Sequence, residues 1–189
     1  MQTPTTQARH LTMTELQAGL DHIRQSPKDK GILEMIVARP DVDKRKVLEE
    51  ATLDIENALV GDNWHVRPSS RTVDGSPHPD KQLNIMNVRA IALMADDKDR
   101  WQWAGDQLLI DIDLSDKNLP AGTQLSIGDA IIEVTALPHN GCKKFAERFG
   151  VDAVKFVNSP VGKQLHLRGI NAKVIQGGMI RKGDLVRKL

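Results

Sequence analysis

Tyrosine is absent from the 189 residues, and only three Trp and three Phe complete the aromatic set. So few rings exclude a broad stacking platform for single-stranded nucleic acid. The single cysteine excludes an internal disulfide, and neither a Cys-x-x-Cys pair nor a zinc-type Cys/His spacing occurs. The same count leaves no cysteine set for an iron–sulfur cluster. Charge of one sign is lacking too. With 26 Lys and Arg against 25 Asp and Glu, the formal net charge is +1, and no global field draws the chain to nucleic acid or an anionic membrane. The basic pairs Arg181-Lys182 and Arg187-Lys188 read as solvated strand ends. No apolar run approaches the roughly 18 residues of a membrane helix. The opening MQTPTTQARH has no charged-then-apolar leader pattern, so the expected compartment is the cytoplasm. Phosphate-loop, dinucleotide, HExxH and G-x-S-x-G motifs are missing as well.

What is present is ordinary globular chemistry, 40% hydrophobic and 27% charged, in a chain long enough to bury a core unaided. Residues 1–30 read as an N-terminal extension. It has a loose polar start (1–10) and one helix over Leu11–Gln25, with Leu16, Leu20 and Ile23 on a shared face and Ser26-Pro27 as the stop. Gly31–Arg39 reads as a strand. Residues 45–59 read as a short strand and then a helical turn before Gly61-Asp62. Val66–Gln82, rich in Pro and Ser, is the longest loop, and loops of that length are often functional or mobile. Leu83–Met86 runs into a helix with Val88, Ile91, Ala92 and Ala95 on its apolar face. Leu108, Ile110, Ile112 and Leu114 alternate as a strand. On its other face Asp111 and Asp113 read as outward residues rather than an acid/base pair.

Gln124–Ile127 and Ala130–Ala136 form a hairpin about Gly128-Asp129, a Gly-X pair suited to a type II′ turn. Cys142–Phe149 and Val151–Val157 read as helices separated by Gly150. Ala172–Ile175 and Leu185–Val186 close the chain as strands. Gly-Asp recurs at Gly61, Gly105, Gly128 and Gly183 at irregular spacing, and these pairs read as separate turns. The sum is mostly β with several short helices, a barrel or folded sheet over residues 31–189.

One segment concentrates reactive chemistry: Pro138-His139-Asn140-Gly141-Cys142-Lys143-Lys144. It joins a strand to a helix, with Asn140 or Gly141 as the expected N-cap and Cys142 in the first turn. Free N–H groups, two lysines and a nearby His139 are conditions that favour a thiolate, either as nucleophile or as soft-metal ligand. The competing possibility is a small buried apolar cysteine.

These pieces resemble a known family when read in order. Leu59-Val60-Gly61-Asp62, Gln124–Thr135, the cysteine loop, Leu167–Val174 and Gly178–Asp184 together look like a MOSC domain, of the stand-alone bacterial type. The resemblance implies a pyruvate-kinase-like β-barrel with Cys142 at the family's key cysteine. It implies one of two roles for that thiol: ligand to the molybdenum of a pterin cofactor, or carrier of a persulfide. Pyridoxal phosphate binding also attaches to the family. Reduction of N-hydroxylated compounds is the activity implied for cofactor-bound members. Arg67, Ser69, Ser70 and Arg71 in the long loop, and Arg168 before Gly169, are then candidates to hold a pterin phosphate. Asn84 and Asn158 are candidates to orient the ligand, and His139 to assist Cys142. Each could instead be a solvated or structural side chain. Electrons or sulfur would come from a partner protein, because the chain has no redox cluster and no desulfurase domain. Oligomeric state is open.

Overall fold

A computed structural model describes residues 8–189, and residues 1–7 of the expected loose segment lie outside the described residues. The expected N-terminal helix is present but shorter and interrupted. α1 (Met13–Ala18) and α2 (Leu20–Arg24) meet at Gly19, where the Leu93 side chain presses in. Thr12 starts α1 through a capping box with Glu15. The pair packs on the same molecule. Met13 N–H donates to Asp152 at 3.0 Å, and Leu16 is buried in a shared cluster with Phe156 and Val157.

β1 spans Lys30–Ala38, as expected. The helical turn expected within 45–59 is replaced by three short strands, β2 (Lys46–Leu48), β3 (Glu50–Asp54) and β4 (Ala58–Leu59). Ala51 and Leu53 are buried on one side of β3, so the period is two and not 3.6. Ile55, four residues after Ala51 as a helical turn would space them, lies exposed in a turn held by Asp54, whose Oδ1 accepts the Glu56 and Asn57 N–H groups. The long loop follows, with single 3-10 turns at Trp64–Val66 and Pro79–Lys81. β5 (Leu83–Asn87) runs into α3 (Val88–Ala95), capped by Asn87. A 3-10 segment over Lys98–Ala104, absent from the sequence reading, leads to β6 (Leu108–Ile110).

β7 (Gln124–Ile127) and β8 (Ala130–Val134) form the expected hairpin. Gly128 has φ +52° and Asp129 stays on the ordinary side, the pattern of a II′ turn. α4 (Lys143–Phe149), α5 (Val151–Asn158) and α6 (Pro160–Gln164) follow, then β9 (Ile170–Gln176), β10 (Gly178–Arg181) and β11 (Leu185–Lys188).

Seven strands close a barrel in the order β11-β7-β8-β9-β5-β6-β1, with β1 pairing back to β11. Among the described strands only β5–β6 pair in parallel. β1 is long enough to hold β11 through Lys30–Ile32 and β2 through Ile36–Ala38 along one edge. A small second sheet, β10-β3-β4, lies beside the barrel. Inward residues such as Leu33, Ile85, Leu108, Ile110, Leu125 and Val174 fill the interior. Outward Met35, Met86 and Leu109 are covered by α1–α5, with Phe145, Phe149 and Phe156 at the centre of that second layer. Helix cover explains why all of β6 is buried where alternation alone predicted an exposed face. Asp111, on that face, is ion-paired with Arg89 at 2.8 Å, and Asp113 Oδ1 accepts the Ser115 N–H. Among the described residues no helix is long and apolar enough to cross a membrane.

Candidate functional site

One end of the barrel carries a cleft of two adjoining lobes, about 660 and 340 Å³, which share Arg39, Arg67, Pro68, Asn84 and His139. Its floor is a hydrogen-bonded chain that begins where β1 ends. Arg39 is buried and grips Asp62 through Nε (2.9 Å) and Nη2 (2.8 Å), while its backbone N–H donates to the same carboxylate at 2.7 Å. Its remaining nitrogen, Nη1, donates to Asn84 Oδ1 at 2.9 Å and Gly105 O at 3.0 Å. Asn84 Nδ2 passes the chain to Asn171 Oδ1 at 2.6 Å, and Asn171 Nδ2 donates to Leu137 O at 2.9 Å. Asn84 therefore lines both lobes with its amide already spent on the barrel.

The cysteine wall is built by two braces. Cys142 is itself the N-cap of α4, with extended backbone, and not a first-turn residue behind an Asn140 or Gly141 cap. Its carbonyl accepts the Ala146 N–H at 3.1 Å, which starts the helix. Its thiol makes no cap hydrogen bond and the residue is exposed, lining the larger lobe. Cys142 is therefore not a buried core cysteine. On one side Asn158, at the end of α5, binds the Gly141 peptide with both ends of its amide. Asn158 holds the cysteine loop and is not among the residues lining the cleft. On the other side Phe145, one turn after Cys142, is buried beneath the Arg168 guanidinium at 4.8 Å. Arg168 in turn donates to Asp106 Oδ2 at 2.7 Å and Ala104 O at 3.0 Å.

Charge distinguishes the cleft from the nearly neutral whole. Arg39, Lys144, Arg148 and Arg168 line it with carboxylate partners. Arg45, Arg67, Arg71 and Lys81 line it with no ion pair among the described residues. Burial, then Arg148 and Arg39, holds Arg45 below its ordinary pKa. Burial and Arg39 do the same to Arg67, and burial with Arg71 and Arg67 to Lys81. Burial and clustered like charge act together on these groups, and an anion in the cleft would relieve both. Ser69 and Ser70 line the smaller lobe beside Arg71. His139 stands at the waist, its imidazole pushed well below the usual range by burial first and then by Arg168, Lys81 and Arg39, which favours the neutral ring.

The structure thus brings Cys142, His139, Arg67, Ser70, Arg71, Asn84 and Arg168 to one cleft and leaves Asn158 behind it. Sequence reasoning missed Arg39, Arg45, Asp62, Lys81, Asp106 and Asn171. The available signal was the recurring Gly-Asp pair. Two of those turns deliver the buried acids, Asp62 and Asp106, that hold the two buried arginines.

A closed, mostly-β barrel whose end loops carry an exposed cysteine over a cationic cleft is the class that fold and site define. The family model for the MOSC domain matches residues 74–187, and the chain belongs to that family, which is linked to the molybdenum cofactor. No curated protein matches the sequence. Among solved structures, the YUAD protein from Bacillus subtilis is similar at TM-score 0.64 and 14% identity, over 83% of this chain and 94% of that one. YiiM from Escherichia coli is similar at TM-score 0.53 and 20% identity, over 84% and 69%. At such identities the likeness is one of fold.

Proposed function

We propose that the chain binds a molybdenum–pterin cofactor in this cleft, with the Cys142 thiolate as the protein's ligand to the metal. The observation that carries the reading is the exposed Cys142 on the same cleft as four cations that have no ion pair among the described residues. Among the described residues no three His, Cys, Asp or Glu side chains converge on a point. A metal held here must therefore bring most of its own ligands, which a pterin dithiolene does. A thiolate is the soft anionic donor that such a centre accepts. Arg67, Arg71, Lys81 and the Ser69–Ser70 hydroxyls in the smaller lobe suit a phosphate group. When bound, the cofactor would supply two-electron chemistry suited to reducing an N-hydroxylated compound. The chain itself binds, orients and neutralises, and the electrons come from a partner protein. Expression in a host that makes the cofactor should give protein carrying molybdenum and pterin. No molybdenum above a Cys142→Ser control would sink the reading.

A second reading is favoured by the freedom of the thiol. Cys142 makes no hydrogen bond and faces solvent, which suits a persulfide handed between partners. Exposure to a cysteine desulfurase with its substrate should add the mass of one sulfur at Cys142. An unmodified thiol argues against it.

A further inference from the structure

Asp106 is fully buried and only half satisfied. Oδ2 accepts from Arg168, while Oδ1 has no partner and faces Nδ1 of His139 at 3.5 Å. That nitrogen is also buried and unpartnered. Two polar atoms stranded opposite each other incur the full cost of desolvation unless one carries a proton toward the other. A proton on Nδ1 aims a donor at Asp106, which the Arg168 guanidinium at 2.7 Å favours as the carboxylate. A proton on Nε2 sets lone pair against lone pair unless Asp106 itself carries a proton against the pull of Arg168.

We propose that Asp106 is a positioning residue that holds His139 as the neutral imidazole with its proton on Nδ1, so that the Nε2 lone pair serves the cleft as an acceptor for a ligand N–H group. The need for such an acceptor follows from the waist. Of the residues common to both lobes, Arg39 and Arg67 only donate, Pro68 has no polar side-chain atom and Asn84 is committed to Arg39 and Asn171, which leaves His139 as the side-chain acceptor there. Asp41, Asp43 and Asn63 line only the larger lobe, and Ser69 and Ser70 only the smaller. His139 stands at the waist common to both lobes, where one acceptor can select among anions. An anion with a heterocyclic N–H, as a pterin ring has, satisfies the cleft, and a doubly ionised phosphate monoester, which only accepts, does not. The identity of that ligand rests on the cofactor reading, but the tautomer does not.

The test is a ring-nitrogen NMR spectrum of the 15N-histidine protein, with His139 assigned by the signal lost in His139→Gln. A neutral ring protonated on Nδ1 is expected. An Nε2–H ring or an imidazolium at neutral pH overturns the proposal. Asp106→Asn sharpens it. Arg168 needs an acceptor, so the oxygen of the introduced amide turns to Arg168 and its NH2 faces Nδ1, which must then give up its proton. The tautomer should flip to Nε2–H, and an unchanged tautomer refutes the positioning role. For the ligand, pterin retained per chain should survive His139→Gln, which keeps an acceptor, and drop about tenfold in His139→Leu, the factor expected for about 1.4 kcal/mol. Equal retention in both overturns the acceptor role. Wild-type protein without pterin sinks the cofactor reading and this ligand with it, and the tautomer is still decided by the spectrum.

Discussion

Asn158 holds the peptide of Gly141 from both sides, accepting its N–H at 2.9 Å and donating to its carbonyl at 3.1 Å, one residue ahead of Cys142. A side-chain amide that mimics a strand partner in this way ties the end of α5 to the cysteine loop. Asn158→Ala removes both bonds from a half-buried site and should cost about 1–3 kcal/mol in urea unfolding. Asn158→Asp keeps an acceptor but loses the donor, and should fall between Ala and wild type. An Asn158→Ala protein as stable as wild type would mean that the loop is held by Phe145 alone.

Two classes of arginine line the same cleft, and substitution should separate them. Arg168 is buried against Asp106, so Arg168→Ala strands a buried carboxylate and should cost about 3–5 kcal/mol. Arg67, Arg71 and Lys81 make no ion pair among the described residues. Their alanine variants should unfold at wild-type urea concentrations or slightly above, because each removal relieves repulsion. Retained molybdenum and pterin should nevertheless fall about tenfold with each charge-assisted bond lost. Variants that lose stability but keep cofactor would reverse the assignment.

The barrel was legible where a strand carries its own signal. The β7–β8 hairpin has alternation and a Gly-Asp turn in one contiguous stretch, and β1 has its apolar run closed by Pro40. It was illegible where tertiary cover overrides local pattern. Nothing near β6 says that Leu109 faces a helix layer assembled from α1–α5. The stripe Val47, Ala51, Ile55 imitates a helix because β2 and β3 are each too short to show a period. At the site, Cys142 and His139 were legible because their chemistry is crowded into one short segment. Asp106 and Arg39 were not, since their partners lie far off in sequence, at Arg168 and Asp62. A Gly-Asp dipeptide gives no hint whether its carboxylate faces solvent, as in a turn, or an arginine in the core.

His139 makes stability depend on pH with a definite sign. Burial and the adjacent Arg168 hold its folded pKa well below the ordinary value of about 6.5. Above that value neither state binds the proton. Below it the unfolded chain takes up a proton that the native state refuses, so stability falls as pH falls, by up to about 1.4 kcal/mol per unit, until the folded pKa is reached. Asp106 runs the other way. Burial raises its folded pKa against the pull of Arg168, so its contribution is complete below the carboxylate range and is lost as pH rises through the raised value. The difference between wild type and His139→Gln, followed by urea unfolding from about pH 7.5 to about 5.5, isolates the histidine. The wild type should lose more stability than the variant, and parallel curves would show an imidazole that titrates normally.

Gly169 ties the buried arginine to the barrel. Its φ of +111° is open to glycine and strained for other residues, and a β-carbon there would lie 2.2 Å from Ile85 O and 3.2 Å from His139 Nδ1. The first contact is with the backbone of β5, which is paired on both edges and cannot retreat. The second is with the imidazole over Asp106. Gly169→Ala should therefore cost about 3 kcal/mol or more, combining a strained dihedral with a steric clash. Whatever relaxation occurs must come from the softer neighbour, His139, or from a shift of Arg168 next in the chain. The variant should then unfold at lower urea and also shift the His139 ring-nitrogen signals. Wild-type stability with unmoved signals would mean that β9 enters the barrel by another backbone path.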